Sequence, residues 1–471
     1  MKSLVSIAVL LLPIAALASA APDWPKALVT VHTEEPRGAI PADFLGLSYE
    51  KPDMAQSHFR RGNTVMANLF RNLGAGVLRM GGTSVDLTYW RQTPAKPVSK
   101  KHAGAIEPSA LESSYGFVQE CGWRVIHGLN LGANDPAMAA DEAAYAMRVG
   151  GQSVLALEFG NEPNIFAEKG IRRESGYDYA QYHREVEAYY RAIFARLPGA
   201  PMAGPATTQK GDWFANFVRD FQGRIVLATS HCYPLSARQT DPRKETYASV
   251  ENLLKAATEL RPMPMIEDHV KAARAAGIPF RLAECNSASG GGKEGVSDVF
   301  ASALWGVDFL FDLADRGVAG INLHSRFDKC EGYTPFCWLG DHYHVHPIYY
   351  SMLLFHQAMR GRTVPVECQS PVNVTAHAVL GDDHRLRVAL INKDPAHGVS
   401  VSIAAGARRG EAGVIRLAAP SVMSKDGVTL GGSAVHQDGT WTPQGGEPVR
   451  CVNGRFDVPL PAASAALLTI E

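Results

Sequence analysis

The chain has 471 residues, too many for one small domain and enough for a barrel of roughly 250 to 320 residues plus a smaller module. Lys and Arg total 46 against 47 Asp and Glu, a balance that leaves no net field to draw nucleic acid or an anionic membrane. An acidic ligand therefore has to be recognised locally, and the sequence leaves the oligomeric state open.

Residues 1–20 open on Met1-Lys2, run apolar from Leu4 to Ala18 around Pro13, and offer Ala18-Ser19-Ala20 as a small-residue cleavage site. The run is short for a membrane anchor, so the expectation is a secretory signal peptide and a mature chain in the periplasm or outside the cell. No later segment is apolar and long enough to span a bilayer. In residues 21–38, Ala27 to Val31 is rich in β-formers and predicts a strand that can join a separate sheet.

Residues 39–355 repeat a unit of short apolar strand, polar loop, amphipathic helix and next strand. The strands are expected at Leu45 to Tyr49, Gly76 to Met80, Arg124 to Leu131, Val154 to Phe159, Met202 to Ala206, Ile225 to His231, Phe280 to Cys285 and Val318 to His324. Helical periodicity is clearest over Pro136 to Val149, Tyr177 to Leu197, Met265 to Ala276 and Val296 to Ala314. Eight such strands are the count of a closed (β/α)8 TIM barrel. An open doubly wound sheet has the same alternation, but no Gly-x-Gly-x-x-Gly turn follows the first strand and polar residues gather at strand C-termini throughout. Residues 356–471 change to short alternating segments, such as Val372 to Val379, Leu386 to Ile391 and Val399 to Ala404, which predict a C-terminal β-sandwich.

Two carboxylates stand where apolar strands end. Leu155-Ala156-Leu157-Glu158-Phe159-Gly160 runs into Asn161-Glu162-Pro163, and Pro163 cannot continue a ladder, which puts Glu162 at the last position of the fourth strand. The seventh strand ends in Ala283-Glu284-Cys285-Asn286, ahead of Gly290-Gly291-Gly292. Either Glu alone could be a carboxylate satisfied inside a barrel mouth. Both opening on one face suit glycosidic cleavage, one as a protonated acid and the other as an attacking anion. No Cys or His cluster has zinc spacing, so neither a metal nor another cofactor is called for.

The seven cysteines are an odd count, so at least one thiol has no intrachain partner. Cys121, Cys232 and Cys285 read as small buried hydrophobes, while Cys330 with Cys337 and Cys368 with Cys451 are the disulfide candidates.

With Asn161-Glu162 at strand four and Glu284 at strand seven, the sequence resembles the clan of retaining barrel glycosidases. Leu78-Arg79-Met80-Gly81-Gly82-Thr83, Glu158 to Pro163, Ser230-His231-Cys232-Tyr233 and Glu331-Gly332-Tyr333 together narrow this to a resemblance to the heparanase and β-glucuronidase family. The resemblance implies Glu162 as acid/base, Glu284 as nucleophile, Asn161 on the hydroxyl beside the anomeric carbon, and carboxyl groups about 5 to 5.5 Å apart. It implies Tyr233 on the nucleophile or donor subsite, Glu50 on outer sugar hydroxyls, and Gly332-Tyr333 as backbone amides and a hydroxyl for a uronate carboxylate. Arg79 is expected to support a catalytic carboxylate by a bidentate pair, and His231 to support the same site.

The expected activity is exo-acting hydrolysis of terminal β-linked glucuronic acid from an oligosaccharide or glycoconjugate. Lys96, Lys100, Lys101 and His102 form a basic loop that reads as a solvated face or as a sulfate subsite of an endo-acting, heparanase-like enzyme. An arabinofuranosidase specificity and an inactive glycan-binding protein on the same scaffold are the other readings.

Overall fold

The computed structural model describes residues 24–92, 104–169 and 172–471. The expected signal peptide and the basic loop at Lys96 to His102 lie outside these residues. None of the described helices is long and apolar enough to cross a membrane.

Eight parallel strands close on themselves: Gly46–Glu50, Val77–Gly81, Arg124–Leu129, Val154–Phe159, Met202–Thr207, Leu227–Cys232, Phe280–Cys285 and Gly320–His324. Each pairs with the next in chain order, and the eighth pairs with the first, His324 lying opposite Ser48. Their near-continuous burial follows from having side chains in the barrel on one face and helices on the other. Expected and observed strand ends differ by at most two residues, and the fourth and seventh strands have the expected bounds.

The helices start where the sequence supplies caps. Asp135 accepts the Met138 amide ahead of Pro136–Gly150, and Asp178 accepts the Gln181 amide ahead of Tyr179–Arg196, two residues later than expected. At the barrel floor, Arg281 reaches the Asn322 side chain and the carbonyls of Phe44, Leu45 and Ile321. Only glycine fits at Gly46 beside it, because a Cβ there would lie 2.5 Å from the Val77 carbonyl and 2.7 Å from the Arg281 guanidinium.

The last barrel helix, Pro347–Ala358, runs slightly past the expected boundary at residue 356. Beyond it the β-domain wraps one apolar core, and Lys26–Val31 joins it, parallel to Val399–Ala404 and antiparallel to Val366–Gln369. Several strands of this domain pack on the barrel, two of them with four residues between them in its core. In Leu386–Asn392 and Ser464–Ile470, Leu386, Val388, Leu390, Ala466, Leu468 and Ile470 face the β-domain core, while Ala389, Ile391, Ala465 and Leu467 pack in the barrel core. That two-sided burial explains why both segments are apolar with little alternation.

Cys330 and Cys337 are joined as a disulfide, but Cys368 and Cys451 are free thiols. Cys368 lies in Val366–Gln369 and Cys451 in Glu447–Val452, and three strands separate these two in the sheet order. At roughly 4.8 Å per strand the two residues are far beyond the ~7 Å Cα limit for a disulfide.

Candidate active site

The candidate site lies at the C-terminal mouth of the barrel. A cavity of about 280 Å³ there is lined by Glu162 and Glu284 together with Glu50, Tyr233, His324, Arg238, Arg326 and Tyr333 among others.

Glu162 does not end the fourth strand, as its sequence suggests. The strand stops at Phe159, Gly160 turns at φ 66°, and Glu162 sits in the left-handed region at φ 53° before the short 3-10 turn Pro163–Ile165. A non-glycine residue is uncommon there and is held by its surroundings. The Glu162 amide donates to the Ala206 carbonyl at 2.8 Å, and the Asn161 amide donates to Asp86 at 2.9 Å. The turn carries the Glu162 carboxyl into the cavity, with its side chain 14% exposed.

Glu284 lies within the seventh strand and is buried. Tyr233, just past the sixth strand, donates its hydroxyl to Glu284 Oε1 at 2.9 Å, and Arg79 Nη1 donates to Oε2 at 2.9 Å. His231 Nδ1 stands between the two carboxylates, 3.4 Å from Glu162 Oε1 and 3.9 Å from Glu284 Oε2. One oxygen of each carboxylate and this nitrogen lie within 4.8 Å of one another.

Arg79 departs from the expected bidentate pair. Its fork is divided among four residues: Nε to Glu158 at 2.6 Å, Nη1 to Glu284 and to Ser48 Oγ at 3.3 Å, and Nη2 to Asn161 Oδ1 at 3.0 Å. One buried guanidinium thereby ties the second, fourth and seventh strands together, which a lysine could not do.

Burial raises the Glu284 carboxyl, but the positive ends of His324, His231 and Arg79 and the Tyr233 hydroxyl outweigh it and hold the group well below the usual carboxylate range. His324 is pushed down by burial and up more strongly by Glu284 and Glu50, and ends above its ordinary value. Glu50 is likewise ionised more readily than usual, burial being outweighed by His324 and Ser84. Its Oε2 accepts from both the amide and hydroxyl of Ser84, and Oε1 lies 3.6 Å from His324 Nε2.

Tyr333 lines the cavity, 6.1 Å ring to ring from Tyr233. Gly332 does not line it: a Cβ at this glycine would lie 2.4 Å from the Gly291 carbonyl, so it packs against the Gly290–Gly292 turn. Two arginines stand in the cavity wall instead. Arg326 is paired with Asp328, at 3.0 and 2.9 Å, whereas the exposed Arg238 makes no ion pair among the described residues.

Residues 376–467 match the family model described as the glycosyl hydrolase family 79 C-terminal beta domain. A β-glucuronidase of Neurospora crassa is 26% identical over 314 residues, 58% of this chain and 55% of that protein. A β-glucuronidase of Aspergillus niger is 25% identical over 303 residues, 56% of this chain and 53% of that protein. The chain thus spans about half the length of the curated relatives it matches. Among solved structures, a 4-O-α-L-rhamnosyl-β-D-glucuronidase from Fusarium oxysporum 12S superposes with a TM-score of 0.78 at 20% identity, over 94% of this chain and all of that one. A GH51 arabinofuranosidase from Xanthomonas axonopodis pv. citri gives 0.70 at 17% identity, over 95% of this chain and 100% of that one. Both share the fold.

The C-terminal β-domain matches that of family 79 glycosyl hydrolases.

The sequence motifs bring Glu50, Arg79, Asn161, Glu162, His231, Tyr233, Glu284 and Tyr333 to one site, and leave Gly332 behind it. They contain Glu158 without giving it a role, and omit His324, Arg238 and Arg326. His324 carries the same signal as Glu284, a polar side chain at the end of an apolar barrel strand. Arg238 and Arg326 lie in loops whose course no local pattern encodes.

Among the described residues, Glu162, His231 and Glu284 are the donor set in this site close enough to share a cation. The Arg79 guanidinium already supplies positive charge to Glu284 there, which disfavours a second cation. Cys330, Cys337 and His346 are also close, but the two sulfurs are bonded to each other.

Proposed function

We propose that this chain is a retaining, exo-acting β-glucuronidase that removes terminal β-linked glucuronic acid from glycans or glycoconjugates. The observation that carries the reading is the carboxylate pair. A nearest-oxygen separation within 4.8 Å fits the about 5 to 5.5 Å of retaining glycosidases and falls short of the roughly 6.5–9.5 Å that admits a water in inverting ones.

In the first step a Glu284 oxygen bonds to the anomeric carbon as the bond to the leaving oxygen breaks, and Glu162 gives that oxygen its proton. In the second, Glu162 takes a proton from water, the hydroxide oxygen bonds to the anomeric carbon, and Glu284 departs as carboxylate. Tyr233 and Arg79 keep Glu284 anionic before attack. His324 and Glu50 close the far side of the cavity, where an outer hydroxyl of a terminal sugar can donate to Glu50.

The volume supports exo action. About 280 Å³ lies below the roughly 300–1,000 Å³ of pockets for drug-sized ligands, room for a single sugar ring. The uronate carboxylate is read as meeting the Tyr333 hydroxyl and the exposed Arg238. A secreted or periplasmic location accords with the oxidised Cys330–Cys337 pair.

Release of p-nitrophenol from its β-D-glucuronide, measured beside chain shortening of heparan sulfate, tests the proposal. Aryl-glucuronide turnover with heparan sulfate chains left at full length is the expected result. Depolymerisation without aryl-glucuronide turnover would overturn the exo reading, and arabinofuranoside turnover in its place would overturn the sugar.

A further inference from the structure

Asp86, in the loop after the second strand, belongs to none of the motifs and does not line the cavity. Its side chain is fully buried. Oδ1 accepts the amides of Leu131 and Gly132 at 3.0 and 2.9 Å, and Oδ2 accepts the Asn161 amide at 2.9 Å. One carboxylate thus joins the loops that leave the second, third and fourth strands, and its third bond is to the residue next to Glu162.

The surroundings are built to match. Arg172 Nε lies 3.7 Å from Oδ2, and among the described residues that nitrogen has no hydrogen-bond partner, so it serves the carboxylate as a charge. A Cβ at Gly160 would lie 3.1 Å from Asp86 Oδ1 and 2.8 Å from Leu131 Cβ, so the turn runs against this carboxylate with no room for a side chain. Burial raises the Asp86 carboxyl to about 6, against the pull of Arg172 and the three amides. An anion that accepts three backbone amides is a stiff, costly feature to bury unless the position of those amides matters.

We propose that Asp86 is a positioning residue for the acid/base step: by holding the Asn161 amide it fixes the left-handed turn that aims the Glu162 carboxyl at the leaving-group oxygen. The inference rests on the reading of Glu162 as the acid/base. It differs from a general stabilising role because a misplaced acid harms only substrates whose leaving group needs a proton. General acid catalysis is worth about 10²–10⁴-fold, and a dislodged acid forfeits part of it.

The test compares an alkyl β-glucuronide, whose leaving group needs protonation, with 2,4-dinitrophenyl β-glucuronide, whose leaving group does not. Formation of the glycosyl-enzyme is followed in single turnovers. For Asp86→Asn the expected result is a loss on the order of 10-fold or more on the alkyl substrate and under about threefold on the dinitrophenyl substrate. Equal losses on both, or no loss on either, would overturn the proposal. Glu162→Gln is run alongside. If it shows no leaving-group dependence, the acid/base assignment has failed; if it does and Asp86→Asn does not, Asp86 has failed alone. Should Asp86→Asn not fold, Gly160→Ala pushes the same turn off Asp86 and is read by the same two substrates.

Discussion

Tyr233 gives its hydroxyl proton to Glu284 Oε1 at 2.9 Å, on the carboxylate whose other oxygen is held by Arg79 at 2.9 Å. Each oxygen of this carboxylate therefore has one donor, and both donors favour the anion.

Removing the tyrosine donor should raise the Glu284 pKa, since the hydrogen bond lowers it. For Tyr233→Phe, kcat on p-nitrophenyl β-glucuronide is expected to fall by about 10²-fold, the scale of one lost donor to a reacting anion. The acid limb of kcat/KM should move to higher pH, because more protons must leave before the nucleophile is anionic. A full pH profile of the variant checks both; a fall in kcat with an unmoved acid limb contradicts the role.

Much of this architecture was readable before the structure. All eight barrel strands could be placed because strands buried on two faces are apolar runs with sharp ends, and Glu162 and Glu284 stood out as charges at those ends. What was not readable depends on neighbours distant in sequence. The sheet order that separates Cys368 from Cys451 follows from the wrapping of the β-domain, and no spacing encodes it. Glu162 looked like a strand end because the turn at Gly160 leaves no polar trace. Asp86 acquires its meaning only from amides 45, 46 and 75 residues away. Arg238 became visible only once the loops around the cavity met.

At the junction of the two domains His377 bonds Asp308 at 2.7 Å and Asp315 at 3.1 Å, and Lys393 also reaches Asp308. Burial lowers this histidine, but the two aspartates overcome it and raise its pKa to about 10. The folded chain thus holds the proton more tightly than the unfolded chain, whose histidine has its ordinary value of about 6.5. The stabilisation is complete below about pH 6.5 and is lost as pH rises towards 10. Melting temperature should decline across that window in the parent chain and decline less in His377→Gln. The variant should be destabilised near neutral pH by on the order of 3 kcal/mol, because the aspartates lose a buried partner. Parallel pH slopes for the two proteins would refute the assignment.

The Cys330–Cys337 disulfide closes the loop that carries Tyr333 to the cavity wall. Cys330→Ser, or reduction with dithiothreitol, should free that loop and raise KM for an aryl β-glucuronide several-fold with a smaller change in kcat. Cys368→Ser should leave both constants and the stability within about 0.5 kcal/mol of the parent. Mass spectrometry of unreduced peptides should find the 330–337 crosslink and none joining 368 to 451.

The division of labour between Glu162 and Glu284 is tested most directly by azide rescue on 2,4-dinitrophenyl β-glucuronide. In Glu162→Ala the glycosyl-enzyme still forms, and azide should displace Glu284 to give the β-glucuronyl azide. In Glu284→Gly azide should enter the space of the missing carboxylate, expel the dinitrophenolate and give the α-glucuronyl azide. Those two anomers, one from each variant, are the result the account predicts; the reverse assignment, or the same anomer from both variants, would contradict it.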